Sequence, residues 1–472
     1  MKYLSTRGQA PTLGFEDVLL AGLARDGGLY LPQSWPQISA DEISLFSGKP
    51  FADVAARVIG PFTGDNVSHE DLLAMTREAY GGFGHRAVTP LVQISENRFV
   101  LELFHGPTLA FKDVAMQLLA RLMDHALGNR NERATIVGAT SGDTGGAAIE
   151  AFRGSKRADV FVLFPDGRVS DVQRRMMTTP QEDNVHAIAI RGNFDDCQSL
   201  VKGMFNHHAF RDRVRLSGVN SINWARIVAQ VTYYFVAAVA LGAPNRRVSF
   251  SVPTGNFGDI FAGFVARQMG LPIEKLVIGS NVNDILPRTV ASGAYEMSGV
   301  VATSSPSMDI QISSNFERYL FEACGRDADL VRSQMGGLSQ SGRFELGASW
   351  ERLREDFGAS AANEAQVSNT IKHVRDEAGY LVDPHTACGV FAAEQVLGHD
   401  SLIPQVVLST AHVAKFPDAM EQIVGERPQL PRRLSNLMSD PERFDVLDND
   451  QGAVEAYIEK RSRLAGSGVG GV

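Results

Sequence analysis

One lysine, Lys112, stands where the sequence pattern favours an unprotonated amine. Apolar residues recur every three to four positions after it, which predicts a helix with Lys112 and Asp113 in its first turn. The positive end of the helix dipole disfavours an ammonium there, and Phe104 and Phe111 would add desolvation. A neutral lysine amine can form a Schiff base with a carbonyl compound. The alternative is an ordinary solvated lysine beside an aspartate.

Two loops rich in small residues lie between predicted strands and helices. In Ala139–Gly146, hydroxyl groups, glycines and the N–H groups of a helix start could bind a carboxylate or a phosphate. The alternative is a simple helix N-cap supplied by Ser141 or Asp143. In Pro253–Asp259, two glycines three positions apart would let backbone amides approach a phosphate, and Thr254 could add a hydroxyl. The chain has no G-x-x-x-x-G-K-[ST] pattern, which disfavours an NTPase phosphate loop.

Two further segments combine polar groups with a cation. Leu408–Phe416 follows the last clear predicted strand, where a hydroxyl could face a ring nitrogen and Lys415 could bind a second anion. Both groups could equally be a helix cap and a solvated lysine. Ser221–Arg226 precedes an apolar helix, and Arg226 suits a bidentate contact with phosphate or carboxylate. A structural ion pair is an equally good interpretation of Arg226.

Short β-branched runs alternate with segments of helical period from about residue 134 onward. This alternation indicates βαβ units and a mainly parallel sheet covered on both faces. The predicted strands are Ala134–Val137, Val160–Phe164, Asn184–Ile190, Val248–Val252, Leu276–Gly279 and Gln405–Leu408. The predicted helices include Phe194–His207 and Asp259–Met269, and Ser170 and Gln173 are spaced as a capping box. Residues 1–95 instead show helical segments such as Phe15–Leu23 and Ala52–Ile59, which indicates a separate, mostly helical unit.

Composition narrows the possible partners. The 472 residues include 45 basic and 54 acidic side chains, a net charge of −9, and the absence of a basic run disfavours nucleic acid. Nineteen uncharged residues, 227–245, contain Gln, Thr, Gly and Pro, so they predict a buried helix rather than a membrane span.

Cysteine and histidine spacing also excludes several site types. Cys197, Cys324 and Cys388 are too far apart for a disulfide framework, and the eleven histidines lack metal-site spacing. The N-terminal residues have no secretory pattern. We therefore expect a cytoplasmic protein without a metal, a membrane or a nucleic-acid partner.

Eight segments spread over nearly the whole chain resemble the threonine synthase family, which are pyridoxal-phosphate enzymes of the tryptophan-synthase-β type. The segments are Gly27–Pro32, His105–Asp113, Ala139–Gly145, Ser221–Arg226, Pro253–Asp259, Ser313–Tyr319, Asp383–Ala387 and Thr410–Phe416. They occur in the family's order and are similar to the branch found in enteric bacteria and fungi.

The resemblance implies an α/β fold with two mainly parallel sheets covered by helices. The implied units are a helical N-terminal domain (1–95), a large cofactor-binding α/β domain (96–129 and 226–425), an inserted small α/β domain (130–225) and a C-terminal segment (426–472). Residues 466–472 of that segment are rich in glycine and predict a flexible tail. In this fold, the small domain is expected to close on the substrate.

By the same resemblance, Lys112 would hold pyridoxal 5'-phosphate as a Schiff base. The residues implied for the cofactor phosphate are Gly255, Asn256, Phe257 and Gly258, with the Thr254 hydroxyl as a further candidate. Thr410 would face the pyridine nitrogen and, being neutral, leave it largely unprotonated. Asp143 would lie toward the phenolic oxygen, where many relatives place an asparagine, and two oxygens there would have to share a proton.

The implied reaction is that of a lyase acting on phosphates, which converts O-phospho-L-homoserine and water to L-threonine and phosphate. Lys112 would remove the proton from Cα. The candidates for binding the substrate α-carboxylate are Ser141, Gly142 and Thr144. The candidates for binding the substrate phosphate are Asn223, Arg226 and Lys415.

Two other interpretations stay open at this point. A serine or threonine dehydratase would share the cofactor residues but would need no second phosphate site. A non-enzymatic phosphometabolite-binding protein would use the glycine-rich loops without needing Lys112.

Overall fold

The computed structural model describes residues 1–140, 142–398 and 402–464. The fold consists of two mainly parallel sheets, helices that cover them, and a helical N-terminal region. The N-terminal elements are β1 (Tyr3–Ser5), α1 (Phe15–Ala21), β2 (Tyr30–Pro32), α2 (Ala40–Ser44), α3 (Phe51–Thr63) and α4 (His69–Gly81). β1 and β2 pair antiparallel, and the four helices agree with the helical character predicted for this region.

The next strands belong first to a large six-stranded sheet, then to a small five-stranded sheet, and after α10 (Trp224–Ala240) mainly to the large sheet again. The first elements are β3 (Leu91–Gln93), β4 (Arg98–Glu102) and α5 (Lys112–Asn129). The next are β5 (Ala134–Ala139), α6 (Asp143–Phe152), β6 (Ala158–Pro165), α7 (Asp171–Thr178), β7 (Val185–Arg191), α8 (Phe194–Asn206), α9 (His208–Arg213) and β8 (Leu216–Ser217). All eight residues of β6 are buried, as expected for a central parallel strand with helices on both faces.

The return begins with α10 (Trp224–Ala240), followed by β9 (Val248–Pro253), α11 (Gly258–Gln268), β10 (Ile273–Ser280), α12 (Ile285–Ser292) and β11 (Ala294–Glu296). The rest are α13 (Phe316–Ala323), α14 (Ala328–Ser341), β12 (Arg343–Glu345), α15 (Ser349–Asp356), β13 (Phe357–Ala361), α16 (Glu364–Ala378), α17 (Pro384–Leu397), β14 (Gln405–Ser409), α18 (Pro417–Val424), β15 (Asp445–Asp448) and α19 (Gln451–Arg461). Short 3-10 turns add residues 64–66, 306–308, 413–415 and 432–434.

Strand order confirms the predicted fold class. The large sheet has the order β13-β10-β9-β14-β4-β3, and all its pairs are parallel except β3 with β4. The small sheet has the order β15-β7-β6-β5-β8 and is parallel throughout. β11 and β12 form a separate antiparallel pair.

α10 is the central helix of the molecule. It packs against α3, α5 and α11, and nearly all its residues are buried, which explains why the sequence carries no charge after Arg226. The prediction of a buried helix is therefore confirmed for residues 227–240, whereas residues 241–245 form a turn after it. No helix in the described ranges has the length and apolar character that a membrane crossing requires.

Two short strands cross the boundaries predicted from the sequence. β3 precedes residue 95 yet pairs with β4 in the large sheet, and β15 follows residue 425 yet pairs with β7 in the small sheet. Three- and four-residue strands carry too little periodicity to be found from sequence alone. The predicted glycine-rich tail, 466–472, lies outside the described residues.

Candidate active site

The candidate residues meet at the carboxyl edge of the large sheet. β9 ends at Pro253 and leads into the Gly255–Gly258 loop, while β14 ends at Ser409 and leads to Thr410. Ligands of open α/β sheets bind at this edge, because strand ends and helix N-termini converge there. The first turn of α6 reaches the same place from the small sheet through contacts of Asp143.

Lys112 is the first residue of α5 and is only 9% exposed. Its Nζ lies 3.3 Å from Asp143 Oδ2 and 4.9 Å from the ring centroid of Phe111. Burial lowers the pKa of Lys112; Asp143 opposes this, and the charges of Lys415 and Arg226 lower the pKa further. The alternative of a solvated surface lysine is therefore wrong.

Asp113 anchors the turn that carries Lys112. Its carboxylate accepts hydrogen bonds from the Thr108 N–H at 2.8 Å and the Thr108 hydroxyl at 2.6 Å. Burial raises the pKa of Asp113 to about 6. The Phe111 N–H donates to the Thr410 carbonyl at 2.9 Å, so Thr410 lies beside the Lys112 turn, as an interaction with a ring held by Lys112 would require.

Asp143 is held by two lysines. Its Oδ1 lies 2.6 Å from Lys415 Nζ and accepts a hydrogen bond from Gln173 Nε2 at 3.0 Å, while Oδ2 faces Lys112. Burial raises the pKa of Asp143, but Lys415 and Lys112 outweigh it and hold that pKa well below its usual range. The two lysines thus favour the ionised form of this carboxyl group.

Thr140 caps the loop that precedes α6. Its Oγ1 accepts the Gly142 N–H at 2.9 Å and the Gly145 N–H at 3.0 Å. The alternative in which Ser141 or Asp143 caps the helix therefore fails for Asp143, whose carboxylate faces the lysines, and Ser141 lies outside the described residues. Gly142 has a φ of 145°, and a Cβ there would lie 2.5 Å from the Gln173 side chain.

The Gly255–Gly258 loop has the features of a phosphate cradle. The Ser313 hydroxyl donates to the Gly255 carbonyl at 2.6 Å, and the Asn315 amide donates to the Asn256 carbonyl at 2.9 Å. Within the described ranges, no hydrogen bond uses the backbone N–H groups of residues 255–258. Four unpaired N–H groups at the start of α11 suit an anion.

The same loop leaves no room for a larger residue at its first glycine. A Cβ on Gly255 would lie 2.7 Å from the Ser307 carbonyl oxygen. Phe257 adopts a φ of 61°, a strained conformation for a non-glycine residue that is common at functional sites. The Thr254 hydroxyl donates to the Val252 carbonyl at 2.6 Å, so its proton is already engaged.

Arg226 is a buried cation in the first turn of α10. It is 3% exposed, its Nε has no partner in the described part of the chain, and its Nη1 lies 3.4 Å from the Val219 carbonyl. Burial lowers the pKa of Arg226 to about 10. No carboxylate of the described residues pairs with it, so the interpretation of Arg226 as a structural ion pair is wrong.

The other two candidates for the substrate phosphate are already bonded within the protein. Asn223 caps α10, since its side-chain oxygen accepts the Ala225 N–H at 3.0 Å and its Nδ2 donates to the Leu19 carbonyl at 2.9 Å. Lys415 donates to the Thr108 carbonyl at 2.8 Å in addition to pairing with Asp143. Of the three, Arg226 alone has a buried nitrogen without a partner in the described residues.

The sequence did not reveal the role of Gln173. Ser170 Oγ accepts the Gln173 N–H at 3.3 Å, which is half of the predicted capping box. The Gln173 side chain does not complete the box; it donates to Asp143 at 3.0 Å. No local spacing could signal this contact between α7 and α6.

Asp383 joins two sides of the site, a role that the sequence pattern of its segment does not predict. Its Oδ2 lies 2.7 Å from His385 Nδ1, and His385 Nε2 accepts the Ser307 N–H at 3.2 Å. Its Oδ1 accepts the Thr386 N–H at 3.1 Å, and the Thr386 hydroxyl lies 3.1 Å from that of Ser409. One buried carboxylate thus ties the segment against Gly255 to the residue before Thr410.

Known proteins match the chain over nearly its whole length. Three family models cover it in order: threonine synthase N terminus (residues 2–80), pyridoxal-phosphate dependent enzyme (83–409) and threonine synthase, C-terminal (386–458). The threonine synthase of Pseudomonas aeruginosa is 50% identical, with 98% of each chain covered. That of Saccharomyces cerevisiae is 42% identical, with 97% of each covered. The chain belongs to the threonine synthase family.

Solved structures of the family agree with this fold. The pyridoxal-phosphate-bound threonine synthase of Brucella melitensis is 61% identical with a TM-score of 0.96, covering 98% of this chain and 100% of that one. The Escherichia coli threonine synthase is 31% identical with a TM-score of 0.82, again covering 98% and 100%. The family and the cofactor are thereby confirmed: the chain is a pyridoxal-phosphate-dependent lyase. The interpretation as a non-enzymatic binding protein is wrong.

The residues present fit this cofactor. Lys112 offers a buried amine with a lowered pKa, and residues 255–258 offer unpaired N–H groups in a cradle that a Cβ at Gly255 would fill. The Arg226 guanidinium adds a positive charge close enough to influence Lys112. An amine for the aldehyde and N–H donors for the phosphate are what pyridoxal phosphate requires.

Proposed function

We propose that this chain converts O-phospho-L-homoserine and water to L-threonine and phosphate, with Lys112 as the catalytic residue. One observation carries the proposal: two separate anion-binding features flank Lys112. The unpaired N–H groups of residues 255–258 form one, and the buried, unpaired guanidinium of Arg226 forms the other. A cofactor phosphate and a substrate phosphate need two such features, whereas a dehydratase needs one.

We assign the Gly255–Gly258 loop, with Thr254, to the cofactor phosphate and Thr410 to the pyridine nitrogen. Thr254 can still accept a hydrogen bond, although its proton is engaged with Val252. When bound, pyridoxal phosphate supplies an electron sink for the electrons left at Cα and Cβ when protons depart. All proton transfers must then come from the chain or from water.

Lys112 is the base in this proposal. Its Nζ can remove the Cα proton only when it is neutral, and burial favours that form. Asp143 favours the ammonium, but its carboxylate is shared with Lys415 at a shorter distance, 2.6 Å against 3.3 Å. Lys415 therefore weakens the hold of Asp143 on Lys112 and helps to keep the amine available.

Arg226 binds the substrate phosphate and stabilises it as it departs from Cγ. A buried guanidinium interacts more strongly with a developing charge than a solvated one, because the low dielectric does not screen it. Two N–H groups of the guanidinium can donate hydrogen bonds to two phosphate oxygens. Asn223 and Lys415, the other candidates, would then contribute by positioning Arg226 and Asp143.

The Ala139–Gly146 loop remains our assignment for the substrate α-carboxylate, through Ser141, Gly142 and Thr144. Thr140 accepts the Gly142 N–H, so carboxylate binding would exchange one acceptor for another. Asp143 joins this loop to Lys112 and Lys415 across the two sheets, which supports closure of the inserted small domain. The proposal includes a cytoplasmic location, since scattered cysteines suit a reducing compartment.

The test uses the full chain loaded with pyridoxal phosphate and supplied with O-phospho-L-homoserine. We expect phosphate and L-threonine to appear in equal amounts, and no release from Lys112→Ala. Ammonia and a keto acid in place of threonine would indicate a dehydratase. Threonine formation by Lys112→Ala at the wild-type rate would exclude Lys112 as the base.

A further inference from the structure

A buried acid, Asp259, directly follows the proposed phosphate loop in the sequence. The reaction proposed above gives it no role. It is the second residue of α11 and is 7% exposed. Its Oδ1 accepts hydrogen bonds from the Tyr233 hydroxyl and, at 3.1 Å, from the Tyr234 hydroxyl. Its Oδ2 is buried without a hydrogen-bond partner in the described residues.

Two adjacent tyrosines of α10 hold this acid in place. Tyr234 shares its one hydroxyl proton between Oδ1 and the Asp259 backbone carbonyl, at 2.9 Å from the carbonyl, and so contacts the first turn of α11 as well as the side chain. Both tyrosines are fully buried, and their ring centroids are 5.1 Å apart. Because α10 also carries Arg226, one helix supports the proposed substrate-phosphate residue and the base of the cofactor-phosphate loop.

The charge state of Asp259 is finely balanced. The titratable groups that face it are Tyr233 and Tyr234 from α10 and Lys112 from α5. Burial raises the pKa of Asp259 to about 7, although the tyrosine hydroxyls and Lys112 oppose the rise. An ionised carboxylate in the turn whose N–H groups bind a phosphate would repel that phosphate, whereas a neutral acid would not.

We propose that Asp259 is a positioning residue that takes up one proton from solvent when a phosphate binds to residues 255–258. The carboxylate becomes a carboxylic acid with its proton on Oδ2, since both tyrosines donate to Oδ1; no other bond forms or breaks. The neutral acid, still fixed by Tyr234, keeps the start of α11 in place beneath the phosphate. This inference rests on the proposed role of the Gly255–Gly258 loop in binding the cofactor.

The test measures the Kd of pyridoxal phosphate for the full-length apoprotein between pH 6 and pH 9, in wild type and in Asp259→Asn. The variant stays neutral at every pH, so the ratio of the two Kd values cancels the titration of the cofactor and of Lys112. Above the pKa that Asp259 has in the apoprotein, the wild-type protein must take up a proton when it binds pyridoxal phosphate. We therefore expect a flat ratio below about pH 6.5 and a wild-type Kd that rises up to about tenfold per pH unit above pH 7, relative to the variant.

Two further measurements keep the inference falsifiable if Asp259→Asn fails to fold. Tyr233→Phe keeps the acid but removes a donor to Oδ1, so the rise in Kd should begin at higher pH than in wild type. Pyridoxal, which lacks the phosphate, should show no such rise in wild type. The proton uptake would be overturned if the Kd ratio did not depend on pH. It would also be overturned if the rise in Kd began at the same pH in Tyr233→Phe as in wild type, or if pyridoxal showed the same rise.

Failure of the underlying proposal would look different. If borohydride reduction does not attach pyridoxal phosphate to Lys112, or if the loop variant Gly255→Ala binds it as tightly as wild type, the site assignment is wrong. If both assignments hold and only the pH dependence is missing, Asp259 is a structural residue of α11.

Discussion

Two lysines share one ionised carboxylate at the centre of the site, while a third basic residue, Arg226, does not. Lys112 and Lys415 both contact Asp143, and Arg226 pairs with no carboxylate in the described ranges. Burying unbalanced positive charge is unfavourable unless an anion completes the site. The unpaired guanidinium of Arg226 thus matches the proposed reaction, in which the substrate carries a phosphate.

Lys112→Ala should abolish turnover while leaving the fold intact. Alanine has the highest helix propensity, and Lys112 is the first residue of α5, so little folding energy is lost. Borohydride reduction of the wild-type enzyme followed by peptide mapping should place the cofactor on Lys112. A label on Lys202, Lys275 or Lys415 instead would contradict the assignment.

Arg226→Leu should bind pyridoxal phosphate normally but process O-phospho-L-homoserine poorly. Losing one charge-assisted contact in a water-excluded site costs about 2–4 kcal/mol, which corresponds to a decrease in kcat/KM of roughly 30- to 1000-fold. Arg226→Lys, which keeps the charge without the fork, should recover part of the loss. If Arg226→Leu instead loses the cofactor, the guanidinium serves the cofactor phosphate.

Local patterns in the sequence predict where single residues lie in a helix or strand, but they do not predict which distant residues those side chains contact. The apolar period after residue 112 gave the helix start that the structure shows for Lys112. Nothing local indicated that Gln173 bonds with Asp143 or that Tyr233 bonds with Asp259, because those contacts join residues about 30 positions apart on different helices. Contacts of this kind depend on packing, which periodicity does not encode.

At the scale of elements, strand-to-helix loops are held by side chains from outside themselves. Ser313 and Asn315 bond with carbonyls of the Gly255–Gly258 loop, and His385 bonds with the Ser307 N–H beside it. Such bonds turn loop carbonyls away from the ligand and leave N–H groups for it. These contacts therefore hold the backbone of the proposed phosphate loop in place from outside the loop.

Gly255→Ala should weaken cofactor binding more than Gly258→Ala does. The added methyl at residue 255 would lie 2.7 Å from a backbone oxygen of Ser307, which cannot move without disturbing the His385 hydrogen bond. At residue 258 the nearest atoms are side-chain atoms of Asn315 and Ile227 at 3.3 and 3.4 Å, which can adjust. We expect the Kd of pyridoxal phosphate to rise roughly 5- to 150-fold for Gly255→Ala, since overpacking costs about 1–3 kcal/mol. Equal Kd values for the two variants would contradict the steric argument.

In the molecule as a whole, the sequence predicts the alternation of strands and helices, because central parallel strands are continuous apolar runs. β6 and β9 are buried along their whole length, and both were predicted. β3, β8 and β15 have two to four residues each and complete the edges of the two sheets. Their pairing is set by neighbouring strands rather than by their own sequence, so the sequence did not predict these three strands.

Mild acid should destabilise the protein through His186, which lies on β7 of the small sheet. Its ring stacks on Phe161 with centroids 4.5 Å apart, and its Nε2 is buried without a partner in the described ranges. Burial lowers the pKa of His186 to about 4, with Arg443 and Arg461 adding to the effect. An unfolded histidine has a pKa of about 6.5, so the folded state binds fewer protons between these values.

The resulting stability is complete above about pH 6.5 and is lost progressively as the pH falls toward 4. Between pH 7 and pH 5, His186 should account for about 1–2 kcal/mol of lost unfolding free energy, allowing for its partial exposure. Urea unfolding of the apoprotein at both pH values measures this loss, and His186→Gln, which cannot titrate, should lose that much less than wild type. His373→Gln, at an exposed position on α16, is the matched control for removing a histidine. If His186→Gln and wild type lose the same stability on acidification, the neutral ring of His186 does not contribute to the acid sensitivity of the small sheet.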